Sequence, residues 1–381
     1  MQRPIPKPSC QWESPESGFL STQVISLARW SPSYGNSQPW KFRIVANNKF
    51  EIHIRSDHSK SANAAKHAEC NQMGMLEVGG LFEIVRIASS LLKHRVTIQK
   101  VTADPHPIYC VNLTFDNTAL SDSLAPYITT RKTCRGGMLS RRIEDAILQE
   151  LFQELPPGYE LRMISGLSDR LMMATLLTQS RKLAFDLRDY ACVSPESVDW
   201  KKGYSTGKVP EYALGLSASG ARHYEQLFSD KHWLKIFRHP LTDARLSWSL
   251  DVKPAFRCSC FFALIRNQKS SQNLTANALP SFQDGAAMIR FWLAVTKYKC
   301  VLQPLQQPLA LAEMGVEHPV ELSSRRHSHE ALLIRDRLHS LFNLPNAQTN
   351  ENLIFMGRLG MPKAPVQYRA VRKELSQLLI P

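Results

Sequence analysis

The sequence predicts an α+β fold of two related halves, each with a mainly antiparallel sheet packed by helices around long buried central helices. Three observations carry that expectation. Short alternating apolar segments bounded by Asn, Gly and Pro read as antiparallel strands. Segments 71–92 and 283–296 have helical period and are apolar over much of their circumference, which places them inside the molecule. Helix, sheet, central helix and strand then follow one another twice along the chain.

Residues 24–29 form the first helix, with Val24, Leu27 and Ala28 at core-facing spacing. Residues 40–45 and 50–54 alternate as strands, and Ala46-Asn47-Asn48-Lys49 supplies the tight turn of a hairpin. The central helix at 71–92 carries Leu76, Gly80, Phe82, Ile84, Ile87, Leu91 and Leu92, and strands follow at 96–101 and 109–115. A second series opens with a short helix at 123–130, an amphipathic helix at 143–155, a strand at 159–164 and a Leu- and Met-rich helix at 168–188. Residues 193–255 read as irregular but carry Trp200, Tyr204, Trp233, Phe237 and Trp248. A connection that long is functional or disordered, and its aromatics argue for order, so a lid-like insertion is expected. A strand at 261–266, the second central helix at 283–296, a strand at 300–303, a helix at 328–342, a strand at 352–357 and a closing helix at 370–379 complete the series. Residues 79–88 can be laid over 285–294 with few identities, so the repeat rests on element order. The expected organisation is a flexible arm at 1–20, a first half at 21–120 and a second half at 121–381.

The 381 residues suffice for two domains or one large one, and 43% hydrophobic with 21% charged residues is ordinary for a globular protein. No apolar run approaches the ~20 residues that span a bilayer. Residues 1–17 are polar and Pro-rich without the apolar centre of a signal peptide, so a cytoplasmic location is expected. The eight cysteines are scattered without a C-x-x-C pair, which points to reduced thiols packed as small hydrophobes. The net charge of +14 is spread over small groups such as Arg141-Arg142 and Lys201-Lys202. A solvated basic surface explains it first, attraction of anionic cofactors second, and nucleic acid a distant third, because no nucleic-acid-binding signature accompanies it. Glycine-rich nucleotide motifs, a metal-binding histidine pattern and a hydrolase elbow are absent from the sequence.

Two runs concentrate polar chemistry. From Leu27 to Phe42 the chain reads L-A-R-W-S-P-S-Y-G-N-S-Q-P-W-K-F, leaving a helix at Pro32 and entering a strand at Trp40. Small side chains, a hydroxyl and two carboxamides with an aromatic behind them suit a flat polar ligand, although the same dipeptides suit any helix-to-strand turn. Arg131-Lys132-Thr133-Cys134-Arg135 offers guanidinium groups and a hydroxyl that suit a phosphate, or equally a solvated basic turn.

The first run resembles the loop near the start of flavin-dependent nitroreductases, roughly A-P-S-x-x-N-x-Q-P-W-x-F. It matches at Pro32, Ser33, Asn36, Gln38, Pro39, Trp40 and Phe42, with Ser31 in place of alanine. The second run resembles the R-R-S-x-R segment of the same family. The resemblance implies a nitroreductase-like fold, with FMN as cofactor and NAD(P)H as electron donor. Ser33, Asn36 and Gln38 would belong to the flavin loop, Arg131 and Thr133 would take the phosphate, and Arg135 would face flavin N1 and O2. The closing stretch Gly357 to Arg372 resembles the family's G-x-P…R-x-P segment. Arg369 is its phosphate candidate, with Lys363 or Arg372 as substitutes, and Gln303 is a minor candidate beneath the ring. In ordinary nitroreductases the two runs occur in the opposite order and the flavin lies between subunits. Here each is present once and reversed, as a fused pseudo-dimer with one composite site would have them, so a monomer is expected. The implied activity is hydride transfer from NAD(P)H through flavin N5 to a small-molecule acceptor, with no catalytic side chain and no metal. The alternatives are a non-catalytic FMN-binding or sequestering protein with an occluded site, and an interaction protein whose site has decayed. All three expect no membrane partner. The first two require Asn36 and Arg131 to converge.

Overall fold

Alternation in the hairpin at residues 40–54 directs Trp40, Phe42, Phe50 and Ile52 to one face, where all four are fully buried. The computed structural model describes residues 18–55, 68–102, 107–187, 197–229, 240–267, 280–317, 324–344 and 353–381. The expected arm lies outside them up to residue 17. Helix α1 (Leu20–Ala28) leads into β1 (Trp40–Ala46) and β2 (Lys49–Ile54), which pair antiparallel with Phe42 opposite Ile52. The central helix α2 (Ala68–Leu91) follows, then β3 (His94–Lys100) and β4 (Ile108–Phe115). These strands form a sheet in the order β1-β2-β4-β3.

The second half opens with β5 (Met138–Leu139), α3 (Asp145–Gln153), β6 (Tyr159–Ile164) and α4 (Leu167–Asp186). The stretch read as irregular contains β7 (Val198–Asp199), β8 (Tyr204–Ser205), β9 (Val209–Pro210), α5 (Ala218–Ser229) and α6 (Pro240–Leu246). It ends in a π-helical turn, Ser247–Val252. Tyr224 and Leu246 of these helices form a small satellite core with Phe185. Strand β10 (Cys260–Arg266), the second central helix α7 (Pro280–Lys297), β11 (Val301–Pro304), α8 (Gln307–Glu317), α9 (Arg325–Leu341) and β12 (Leu353–Pro362) complete the half. Its sheet runs β6-β10-β12-β11, with β5 pairing β12.

The two sheets share one topology. With β5 set aside, β6, β10, β11 and β12 repeat the order of β1, β2, β3 and β4, first-second-fourth-third, all pairs antiparallel, and the central helix joins the second strand to the third. The halves differ in their insertions. The tight β1–β2 turn corresponds to residues 165–259, and the short β3–β4 link corresponds to α8 and α9.

The central helices cross where neither has side chains. A Cβ on Gly79 would lie 2.3 Å from the Phe282 carbonyl oxygen, and one on Gly285 would lie 2.3 Å from that of Leu76. Arg290 of α7 reaches across to Glu83 (3.0 Å) and Asp122 (2.7 Å). The inner face of the first sheet meets a core, formed with α1 and α2. The second sheet is covered on both faces, by α7 and by α4, α8 and α9, so β10 and β12 are apolar without alternation.

After β12 the chain returns to the first half. Strand β13 (Arg369–Ala370) pairs parallel with β8, α10 (Leu375–Leu378) is one short helix, and the Ile380 N–H donates to the Phe42 carbonyl at 2.9 Å. The long closing helix expected over 370–379 is not what forms. Contacts from Arg372 and Lys373 to the polar loop hold that stretch non-helical. Among the described residues no helix is long and apolar enough to cross a membrane, and no cluster of His, Cys, Asp and Glu could hold a metal ion.

Candidate functional site

The chain leaves α1 at Trp30 and Ser31, both buried, and turns through residues 33–38. Gly35 (φ 57°), Asn36 (φ 63°) and Gln38 (φ 53°) all take the left-handed backbone conformation. For the two non-glycine residues this costs roughly 1–2 kcal/mol each, and it persists only where surrounding bonds over-determine it. Those bonds are present. Ser33 Oγ accepts the Gln38 N–H at 2.9 Å, and Glu77 of α2 accepts the Tyr34 N–H at 2.5 Å. Asn36 Nδ2 donates to the carbonyls of Val371 (3.0 Å), Lys208 (3.3 Å) and Ser205 (3.4 Å). Gln38 Nε2 donates to the carbonyls of Thr206 (2.7 Å) and Asn36 (3.0 Å), and its Oε1 accepts the Lys373 N–H at 2.9 Å.

The basic run meets this loop at Trp30 and Ser31. Arg131 is buried, donates from Nη2 to the Trp30 carbonyl at 3.2 Å, and lies with its guanidinium carbon 4.3 Å from the centre of the Trp292 ring. Arg372 donates to the carbonyls of Ser31 (3.2 Å) and Trp30 (3.4 Å) and to Asn36 Oδ1 (2.5 Å). Arg369 sits 5.0 Å over the Trp30 ring and donates to the Thr129 carbonyl at 2.6 Å. Asn36 and Arg131 therefore converge, joined through Arg372 and the Trp30–Ser31 backbone.

The electrostatics of this meeting point are unbalanced. Burial, with the charges of Arg372 and Arg369, pushes the Arg131 pKa well down, and burial with the neighbouring arginines brings Arg372 down to about 10. Lys132 is lowered by burial and by Arg369. The carboxyl acting on Arg372 is that of Glu77, and burial pushes it up to about 8 against the Tyr34 N–H and the Arg372 charge. Arg131 Nε and Ser31 Oγ are buried with no hydrogen-bond partner among the described residues. Arg131 Nε and Ser31 Oγ thus offer two donors, beside the buried guanidinium groups of Arg131 and Arg372, that an anion would satisfy.

The other expected residues occupy lesser positions. Thr133 makes a backbone bridge to Leu302, and its side chain is half-buried. The Arg135 carbonyl accepts from Arg358 at 2.9 Å. Gln303 is engaged by the same guanidinium at 2.7 Å and belongs to the scaffold. Arg358 is almost wholly buried and also donates to the carbonyls of Gly136, Pro254 and Arg257. It holds the basic run from beneath, and its only sequence signal is one arginine inside an apolar strand. The insertion touches both runs. A Cβ on Gly35 would contact Ser197 Cβ at 3.4 Å, and Gly215 (φ 74°) approaches so closely that its Cβ would lie 2.4 Å from the Arg135 carbonyl oxygen.

The residues fit one end of FMN and not the other. The guanidinium groups with the unpartnered Nε and hydroxyl suit a phosphate dianion. The Asn36 and Gln38 carboxamides, expected to meet the ring, are spent on the chain's own backbone. Sequence reasoning named Arg372 only as a substitute and did not single out Glu77. Arg372 becomes visible once the tail is seen to pass beside Ser31.

No protein-family model matches the chain, and no curated protein matches it. Among solved structures it is similar to the FMN-dependent nitroreductase NfnB from Mycobacterium smegmatis in complex with NADPH. The identity is 12% and the TM-score 0.34, over 66% of this chain and 94% of that one. It is similar also to the FMN and NADPH-dependent nitroreductase NfnB from a Sphingopyxis strain, at 14% identity and TM-score 0.34, over 68% of this chain and 99% of that one. A putative nitroreductase from Anabaena variabilis gives 10% identity and TM-score 0.38, over 83% of this chain and 69% of that one. All three TM-scores lie below 0.5, so the functional reading rests on the chain's own residues.

Proposed function

We propose that the chain binds FMN by its phosphate at the Arg131–Arg369–Arg372 cluster and acts as a nitroreductase-type oxidoreductase, passing hydride from NAD(P)H to a small-molecule acceptor. One observation carries this reading. The buried Arg131 and Arg372, with Arg131 Nε and Ser31 Oγ unpartnered among the described residues, sit where the two motif runs meet. Bound flavin would supply the hydride-accepting centre. Arg131 and Arg372 would hold and orient its phosphate, Thr133 adds a hydroxyl on the same run, and the 197–216 segment keeps water from that end. The shared strand order of the two sheets supports a duplicated scaffold, and the meeting of one run from each half supports a site complete within one chain.

The saturated Asn36 and Gln38 amides favour a second reading, a closed FMN-binding protein that does not turn over. The visible spectrum of the purified chain with added FMN tests the first step, and bleaching by NADPH followed by recovery with an acceptor separates the two readings. Arg131→Ala removes a charge-assisted contact of about 1.5–3 kcal/mol, so FMN affinity should fall about 10- to 150-fold. A chain that stays colourless with FMN, or binds it equally well without Arg131, would refute both.

A further inference from the structure

Trp292 of α7 lies against the guanidinium of Arg131, whose central carbon stands 4.3 Å from the indole centre. Both side chains are buried. The indole is itself held. Its Nε1–H donates to the Lys132 carbonyl at 3.3 Å, and its ring lies 6.0 Å from that of Phe355 on β12, inclined by 33°. The backbone of the basic run is held as well. The Arg131 N–H donates to the Tyr127 carbonyl at 3.0 Å, and the Cys134 N–H to the Leu302 carbonyl at 2.9 Å. Arg131 Nη2 then meets the Trp30 carbonyl, and Nε has no partner among the described residues. A planar cation resting on an aromatic face has fewer orientations open to it, so its donors are aimed before a ligand arrives. The scaffold does not demand an indole here. With residues 79–88 laid over 285–294, Trp292 falls on Arg86 of α2, which is 57% exposed and lies 3.5 Å from Glu83. The helix crossing obeys that alignment, because Gly79 against Phe282 and Gly285 against Leu76 are images of each other under it.

We propose that Trp292 is a positioning residue of the anion subsite: it pre-organises the Arg131 guanidinium so that the unpartnered Nε is presented to a phosphate. Its effect is exerted through Arg131 and not by touching the ligand. The inference rests on the reading that this subsite takes the phosphate of FMN. Without the indole, the long Arg131 side chain must be ordered at the moment of binding, which weakens binding about 3- to 10-fold. That loss falls on ligands that carry the phosphate and spares those that lack it. Lysine cannot take the place of Arg131, because its ammonium is a point charge without a plane to stack.

The experiment measures FMN and riboflavin binding to the full chain by quenching of flavin fluorescence. Trp292→Leu should weaken FMN about 3- to 10-fold and leave riboflavin within about twofold. Trp292→Phe keeps an aromatic face against the guanidinium and should restore FMN affinity to within about twofold of the unaltered chain. In a chain that already carries Arg131→Ala, Trp292→Leu should have no further effect, because no guanidinium remains to be aimed. Arg131→Lys leaves the core intact and keeps the charge without the plane, so it should lose at least as much FMN affinity as Trp292→Leu. Equal losses for FMN and riboflavin, an undiminished loss in the Arg131→Ala chain, or full FMN affinity in Arg131→Lys would overturn the positioning role and leave the phosphate reading standing. FMN that does not bind the unaltered chain, or binds Arg131→Ala equally well, would remove that reading and this inference together.

Discussion

Gly285→Ala is the sharpest probe of how the halves are held together. An alanine Cβ there would lie 2.3 Å from Leu76 O, 2.5 Å from Gly80 N and 2.7 Å from Gly79 C. All three atoms are backbone of α2, so no rotamer change gives relief. Ordinary contact begins near 3.4 Å, which requires α2 and α7 to part by about 1 Å. A gap of that size forfeits about a quarter to a half of the dispersion energy of the facing atoms. Overpacking against side chains costs about 1–3 kcal/mol, and rigid backbone places this case at the upper end. Alanine returns about 1 kcal/mol of helix propensity over glycine, leaving a net loss of about 2 kcal/mol. Gly74→Ala is the internal control. It lies on α2 with nothing within 4 Å of its Cβ, so it should gain about 0.5–1 kcal/mol from propensity alone. Urea titrations followed by far-ultraviolet circular dichroism should separate the two variants by about 3 kcal/mol, with Gly285→Ala the weaker. Equal midpoints, or the reverse order, would refute the close crossing.

Arg358→Met should destabilise the chain by about 3–5 kcal/mol, because it takes the guanidinium from the Gln303 carboxamide oxygen and from the Arg135 and Gly136 carbonyls, whereas the Pro254 and Arg257 carbonyls keep a backbone N–H; denaturant titration checks this, and FMN affinity should fall with it as residues 131–136 loosen. Glu77 also has a stability consequence. Its pKa in the fold, about 8, lies above the ordinary glutamate value of 4.5, so folding takes up a proton between those limits and stability declines as pH rises through them. Glu77→Gln removes that decline, and should be more stable than the unaltered chain by roughly 2–4 kcal/mol at pH 8 but close to it at pH 5. Parallel loss of stability with pH in both proteins would contradict the assignment.

Much of the scaffold is legible in the sequence because its causes are local. The β1–β2 hairpin follows from alternation around Asn47-Asn48, and both central helices follow from apolar residues at helical spacing. The two motif runs are visible as residue types, and they do meet. The partners of Asn36 and Gln38 are not visible, because the carbonyls that saturate them come from residues about 170 and 335 positions away. No local pattern encodes a pairing at that separation. The 370–379 stretch misleads for the same reason. Its helical propensity is real, but the pull of Arg372 toward Ser31 and Asn36 is tertiary and wins. Arg358 shows a third limit: a cation that binds carbonyls inside a sheet carries no motif of its own.

The returning tail bears on how the molecule is made. Leu378 is fully buried in the core of the first half, and Ile380 closes the open edge of β1. Domains generally fold as they emerge, N-terminal first. Here the first sheet must wait for residues 378–380, which follow the whole of the second sheet, before its hydrophobic interior is sealed, so the two halves are expected to mature together and not in turn.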